Sequence, residues 1–407
     1  MLRFLKLKRF WFGIAALVLV GSLISCDGTR LMMQRAPLEA APHPPNLPPL
    51  KSNSEILNEL EEHIYGKIPD LTDVTVLSEK EIARDAFIQG DIVTEWAVKA
   101  GYGHATKVFH IVFVRHSDDL KAPVIISQNF CPNNNVVPVE GVTAPEGDFF
   151  ECSSEGILSP VFTYFFGRYI TVPPFEMILK HGYSMAVIFP PEFVPDSSSG
   201  APATLRDMIS TAPEDMPGTL AVWSSLTIWL ADTLKSDGRT DAVISYGHSR
   251  YGKTALISAA ATTSIDAAIA HQSGTGGASL LRNGTGESIS KVTESYPHWF
   301  VSRFGSYSED QDALPVDAHN LLALIAPRPV LLGNARRDVW SDPSGAFNAA
   351  RAASPAWIGN DGTGLTATRL DDFRPDDDLA FWIRPGTHGV VEEDWPAFLE
   401  FLDAHFE

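Results

Sequence analysis

The chain has 407 residues, 44% apolar and 20% charged, which is the make-up of a folded globular protein with a sizeable core. That composition excludes a disordered chain, a coiled coil and a collagen-like repeat. The 50 acids against 31 bases leave a net charge of −19, and so acidic a surface repels phosphate backbones, which argues against nucleic-acid binding.

Residues 1–9 carry Arg3, Lys6, Lys8 and Arg9 with no acid, and Phe10 to Ile24 form a continuous apolar run. A basic segment followed by a short apolar one reads as a secretory signal, too short for a comfortable membrane span. Its ending, Leu23-Ile24-Ser25-Cys26, resembles a bacterial lipobox, in which the cysteine is lipidated and becomes the mature N-terminus. The expected organisation is a signal peptide over 1–25, a tether over 26–53 and one folded domain over 54–407. Six prolines between residues 27 and 50 give the tether semi-rigid polyproline character rather than a place in a core. Such a protein is exported, periplasmic or bound to the cell envelope, and meets the membrane only through Cys26. A monomer is expected. The three cysteines show no metal-ligand spacing; Cys131 and Cys152 are compatible with a disulfide and equally with two free thiols.

In the folded part, Ser54 is expected to cap a short helix ending near Tyr65, with Glu55 in its first turn. Strand-like runs follow at Ile92–Val98, Phe109–Val114 and Val124–Ser127. A helix opens at Pro173 and ends near His181 before Gly182, and Tyr183–Phe189 reads as a buried strand. Leu220, Trp223, Thr227, Leu230 and Leu234 form one stripe of a helix over 218–235. Strands are expected at Ala242–Tyr246, Ala267–Ala270, Val330–Gly333 and Leu379–Ile383. Helices are expected at Ser249–Ala261, Gly345–Ala353 and Trp395–His405. Strands alternating with helices from residue 173 onward predict an α/β fold, a mostly parallel sheet covered by helices on both faces.

One stretch, Ile244-Ser-Tyr-Gly-His-Ser-Arg-Tyr-Gly-Lys-Thr254, fits two motifs. Gly247 to Thr254 matches a Walker A loop, in which backbone amides cradle phosphates and Lys253 reaches the terminal ones. Against it stand its late position among the strands, the lack of a strand ending in a magnesium-binding Asp, and the export signal. The second reading is a nucleophile elbow: Gly247 permits a tight strand-to-helix turn that lifts Ser249 above the sheet at a helix N-terminus. Tyr251 occupies the usual second glycine position, with Gly252 one place later. A hydrolase built this way needs Ser, then an acid, then His in chain order. Asp338 and Asp342 follow the strand Val330–Gly333, and His388 follows the last strand, so both candidates sit in loops at strand C-termini, where open α/β sheets place ligands. In this chemistry His388 takes the Ser249 proton and the acid orients the imidazole; no metal and no cofactor is needed.

At these residues the sequence resembles the glucuronoyl esterases, carbohydrate esterase family 15, which have the α/β-hydrolase fold. Gly247-His-Ser-Arg-Tyr-Gly-Lys253 is similar to the family's G-[CH]-S-R-x-G-K signature. Ser273-Gly-Thr-Gly-Gly277, Tyr296-Pro-His-Trp-Phe300, Leu314 to Pro329, Arg384-Pro-Gly-Thr-His388 and Tyr65-Gly-Lys-Ile-Pro69 match further blocks in the same order, over about residues 55–407. The resemblance implies Ser249 as nucleophile, His388 as base, Arg250 as the oxyanion-stabilising arginine, and Lys253, Glu287 and Trp340 as contacts to the glucuronate. The loop around Asn129-Phe130-Cys131 is expected to approach the same site. Where many members carry the acid as a Glu just after the strand that follows the nucleophile helix, this chain has Gln272, which cannot be anionic. The acid is therefore assigned to Asp338, with Asp342 second. The implied substrate is the ester between a (4-O-methyl-)glucuronic acid of xylan and an alcohol such as one of lignin. Acetyl or general carboxyl esters are the near alternative, and a non-catalytic carbohydrate-binding lipoprotein with a degenerate triad is the alternative of another class.

Overall fold

The computed structural model describes residues 34–39, 42, 44, 46–116, 121–147, 149, 152, 166–212, 215–282 and 284–406; the expectations for 1–25 and Cys26 lie outside them. Among the described residues nine strands form one sheet: β1 (Thr72–Arg84), β2 (Asp91–Gly101), β3 (Thr106–His116), β4 (Val124–Gln128), β5 (Ser184–Ile188), β6 (Val243–His248), β7 (Ala267–His271), β8 (Val330–Ala335) and β9 (Leu379–Arg384). Their spatial order is β1-β2-β3-β5-β4-β6-β7-β8-β9. The first three and the β3–β5 pair are antiparallel, and from β5 to β9 every pair is parallel.

The parallel strands are short apolar runs because both of their faces are covered. Val124, Ile126, Val243, Val330 and Leu332 join the core under the helices Thr219–Ser236, Arg250–Ala261 and Pro343–Ile358. Ile125, Ile244 and Leu331 point the other way, into a second core with Phe175–Lys180 and Asp394–Phe406. Each fully buried aliphatic side chain of this kind contributes about 1.5–3 kcal/mol. The expected α/β sandwich is thus the observed one.

Two local expectations change, and one strand lies where none was expected. The first helix, Asn53–Leu60, is capped by Ser52 rather than Ser54: the Ser52 hydroxyl accepts from the Glu55 N–H and the Glu55 carboxylate accepts from the Ser52 N–H at 3.2 Å. The Ser-x-x-Glu spacing of a capping box marks that start. Strand β1 is exposed along most of its length and is held chiefly by its ladder to β2, with Val74, Ile82 and Ala83 partly packed against the cores. The described part of the expected tether is docked on the body. The Ala36 N–H donates to the Arg336 carbonyl at 2.7 Å, Arg336 Nε returns a bond to the Ala36 carbonyl at 3.1 Å, and the Leu370 N–H donates to Leu38 at 2.9 Å. Cys131 and Cys152 form a disulfide, with Cα atoms 5.7 Å apart.

Candidate active site

The chain leaves β6 at His248 and enters the helix Arg250–Ala261 immediately after Ser249, whose φ of +58° and ψ of −122° lie in a region that costs a non-glycine residue about 1–3 kcal/mol. Two features hold it there. The Ser249 N–H donates to the His271 carbonyl at 2.8 Å, and Gly247 lets the turn close, since a Cβ there would overlap the Tyr251 carbonyl. Tyr251 fits the usual glycine position because its ring turns into the core against Phe130 and Trp223. The close approach to the β7 end falls to Gly252, where a Cβ would sit 3.1 Å from the His271 carbonyl oxygen. The same packing removes the phosphate-loop reading. Lys253 donates to the Ser273 carbonyl, and the Thr254 hydroxyl, the group a Walker loop turns to its metal, is buried and donates instead to Gln128 Oε1 at 2.7 Å.

Ser249, Asp338 and His388 line one pocket of about 380 Å³. His388 Nδ1 lies 2.7 Å from Asp338 Oδ2, and the Ser341 N–H donates to Asp338 Oδ1 at 3.4 Å. Burial works to raise the Asp338 pKa, but His388 and Ser341 outweigh it and hold the carboxyl below its ordinary value, so it is ionised at neutral pH. The second-choice acid is corrected: Asp342 is the N-cap of the helix Pro343–Ile358. Its carboxylate accepts from the Gly345 N–H at 3.0 Å, the Thr285 N–H at 3.0 Å and the Thr285 hydroxyl at 2.9 Å. Gln272 is buried at the end of β7, hydrogen-bonded to the loop that carries His388.

Arg250 lies in the pocket wall, its guanidinium 4.7 Å from the Trp299 ring centroid, with Tyr296 and Phe130 also close. Phe130 thereby brings the loop after β4 to the nucleophile turn, as expected. Sequence reasoning missed Asp196, which fixes this arginine: one carboxylate oxygen pairs with Arg250 Nη1, and the other accepts from His298 Nε2 at 2.8 Å and Trp299 Nε1 at 2.9 Å. Asp196 stands in a loop with no motif around it; the nearby Tyr-Pro-His-Trp block was the one available signal.

Lys253, Glu287 and Trp340 line the same pocket. Burial pushes the Lys253 ammonium down to about 8, with Glu287 opposing that shift. Burial likewise raises the Glu287 carboxyl, against the pull of Lys253 and of the Trp340 indole N–H. The Glu287 N–H donates to the Trp340 carbonyl at 2.9 Å, and the Thr275 hydroxyl donates to the Glu287 carbonyl, so the two loops are stacked backbone to backbone. Trp340 is 44% exposed, a flat ring at the mouth of the kind on which a sugar can lie.

Residues 215–359 match a family described as glucuronyl esterase of fungi. A carbohydrate esterase, MZ0003, from an unknown prokaryotic organism is 30% identical over 371 residues, which cover 87% of this chain and 84% of that protein. Among solved structures, a promiscuous carbohydrate esterase family 15 esterase from a marine bacterial metagenome is 29% identical with a TM-score of 0.73, over 87% of this chain and 91% of that one. A glucuronoyl esterase from Solibacter usitatus is 26% identical with a TM-score of 0.72, over 92% of this chain and 98% of the other.

Proposed function

Since the chain belongs to carbohydrate esterase family 15, the glucuronoyl esterases, and is a carboxylic ester hydrolase, we propose that it cleaves the ester between (4-O-methyl-)glucuronic acid on xylan and an alcohol of lignin, using Ser249, His388 and Asp338. The observation that carries the residue assignment is the 2.7 Å contact between His388 and an ionised Asp338 in the pocket that Ser249 also lines. Ser249 Oγ attacks the ester carbonyl while His388 Nε2 takes its proton, and Asp338 stabilises the imidazolium. The negative charge that develops on the carbonyl oxygen meets the helix N-terminus and the Arg250 guanidinium. The tetrahedral intermediate collapses, His388 returns the proton to the departing alcohol, and water activated by His388 then releases the glucuronate from Ser249. Lys253, Glu287 and Trp340 receive the sugar. The test is turnover of a benzyl glucuronate ester by the protein and its Ser249→Ala variant; turnover that survives the substitution rejects the assignment.

A second reading keeps the triad and widens the substrate to acetyl and general carboxyl esters, supported by the promiscuity stated for the marine relative. Lys253→Ala and Glu287→Ala separate the two. A loss confined to glucuronate esters supports the first reading, and an equal loss on acetate esters the second. The proposed protein is an exported, monomeric lipoprotein, cut after Ser25 and anchored through Cys26, a reading supported by the basic and apolar pattern of its first 25 residues. Mass spectrometry of the mature N-terminal peptide tests it: an unmodified Cys26 refutes the anchor.

A further inference from the structure

Gln272 follows β7 at the wall of the pocket, 1% exposed and with φ of +50°, a conformation that a non-glycine residue holds only when its surroundings over-determine it. Those surroundings are the two loops that carry His388 and Asp338. The Gln272 Oε1 accepts the Gly389 N–H at 2.8 Å, and its Nε2 donates to the Thr387 carbonyl at 3.4 Å, so one amide grips the peptide groups on both sides of His388. On the backbone side, the Gln272 N–H donates to the Gly333 carbonyl at 2.7 Å, and its carbonyl accepts the Ser341 hydroxyl at 3.3 Å. Ser341 is the residue whose N–H donates to Asp338. Arg384 holds the histidine loop as well, through Nη2 to the Gly389 carbonyl at 2.7 Å and Nη1 to Thr387 at 3.2 Å, but it makes no bond to the Gly389 N–H.

We propose that Gln272 is a positioning residue for the reaction, a neutral bracket that holds the backbone on either side of His388 in register with the loop of Asp338. The proposal rests on His388 being the base. Its chemistry calls for an amide. The Gly389 N–H requires an acceptor, and the Thr387 carbonyl, already bonded to Arg384, takes a second donor, at a buried place beside one carboxylate already. An ionised carboxyl group offers acceptors alone, faces the Thr387 oxygen with like charge and sets a second anion near Asp338. An alkyl chain of the same length leaves the buried Gly389 N–H without a partner. The ring itself is held elsewhere, by Asp338 and by His248, whose ring centroid is 4.5 Å away. His248 is neutral, because burial, with His388, His271 and Arg384 beside it, pushes its pKa far down. The titratable and charged groups around His388 are an anionic Asp338, Glu287 across the pocket, a neutral His248 and, behind that, His271, 3.2 Å from His248 between ring nitrogens, with Arg384 and Asp394 beyond.

The experiment is steady-state kinetics and thermal melting of the full chain on benzyl glucuronate, with Gln272→Met, Gln272→Glu, Ser249→Ala and His388→Ala. The expected result for Gln272→Met is a fall in kcat of about 10²-fold, the cost of a misplaced base, with KM nearly unchanged because Lys253, Glu287 and Trp340 are untouched. A merely structural role lowers the melting temperature and leaves kcat alone at temperatures where the variant is folded; that result overturns the proposal. Should Gln272→Met not fold, the near-isosteric Gln272→Glu decides. It keeps an acceptor for the Gly389 N–H but faces the Thr387 carbonyl with like charge, so kcat falls with KM nearly unchanged, whereas wild-type kcat and KM overturn the proposal. Turnover surviving in Ser249→Ala or His388→Ala rejects the triad itself, while inactive alanine variants beside a fully active Gln272→Met reject only the role of Gln272.

Discussion

Ser249, Asp338 and His388 follow the C-terminal ends of β6, β8 and β9, whereas Glu287 stands on a loop beyond the sheet that leans on Trp340, two residues past Asp338. On the first side, geometry comes from strand register. β8 and β9 pair residue by residue to Ala335 and Arg384, and the Arg337 N–H still reaches the Gly386 carbonyl at 2.8 Å, so the acid and histidine loops leave the sheet already tied. On the second side, geometry comes from a few loop bonds: the Asp342 carboxylate holds Thr285, and Asp338 caps the turn that carries Trp340. The first wall, built on the sheet, carries the proposed triad and the second, built on loops, two of the expected sugar contacts, so altering the first should cost rate and altering the second affinity. The separation of kcat from KM measures that difference.

The largest effect belongs to the sheet-built wall. Asp338→Asn leaves the volume and removes the anion, so kcat falls by about 10⁴ with KM little changed. Near-normal kcat in this variant breaks the comparison at its root, because Asp342 is committed to capping its helix and binding Thr285 and has no carboxylate to lend.

Asp342→Ala probes the other wall. It removes a helix cap, worth about 0.5–2 kcal/mol, and releases Thr285, two residues before Glu287. The expected outcome is a KM for the glucuronate ester raised about tenfold, the equivalent of 1.4 kcal/mol in binding, with kcat retained. If kcat drops as far as KM rises, the two walls are one mechanical unit and the distinction fails.

Much of the sheet-built wall is legible in the sequence, because its signals are local. Gly247 before Ser249 marks a turn, and Asp338 and His388 each follow an apolar run. The choice between Asp338 and Asp342 needs the chain folded, since it depends on which carboxylate faces an imidazole and which faces backbone amides. Asp196 left no trace for the same reason: its meaning lies in three partners more than fifty residues away. The loop-built wall was readable only through family resemblance, as nothing in Glu287 or Trp340 taken singly distinguishes a sugar contact from a solvated acid or a core aromatic. Strand β1 escaped because an exposed edge strand has no burial pattern to read.

Lys253 bridges the two walls, since it rises from the nucleophile helix yet is expected to bind the sugar. With its ammonium held down to about 8 by burial, it loses its proton as pH rises through that value, earlier than an exposed lysine. Its hydrogen-bond donation to a substrate hydroxyl weakens accordingly. KM for glucuronate esters should climb above about pH 8 in the wild type. Lys253→Met, with a higher KM at every pH, should show no such climb. A climb that persists in Lys253→Met moves the titration to another group and takes this lysine out of the binding wall.

The smallest expected effect comes from the N-terminal segment, and it sharpens the comparison by touching the sheet-built wall from outside. Ala36 and Arg336 exchange two hydrogen bonds, and Arg336 lies two residues before Asp338. Ala36 is itself buried, so the segment seals the back of the acid loop although it precedes the first helix in sequence. A protein beginning at Asn46 keeps the Ser52 cap but loses both bonds and the one from the Leu370 N–H to Leu38; at about 0.5–1.5 kcal/mol each, it should be less stable by about 1.5–4.5 kcal/mol than one beginning at Gln34, as read by urea denaturation of the two. Because Asp338 keeps its contacts to His388 and Ser341, kcat should change by less than about threefold. A much larger loss of kcat makes the segment part of the active site, and equal stability of the two proteins makes it a passive lead into the domain.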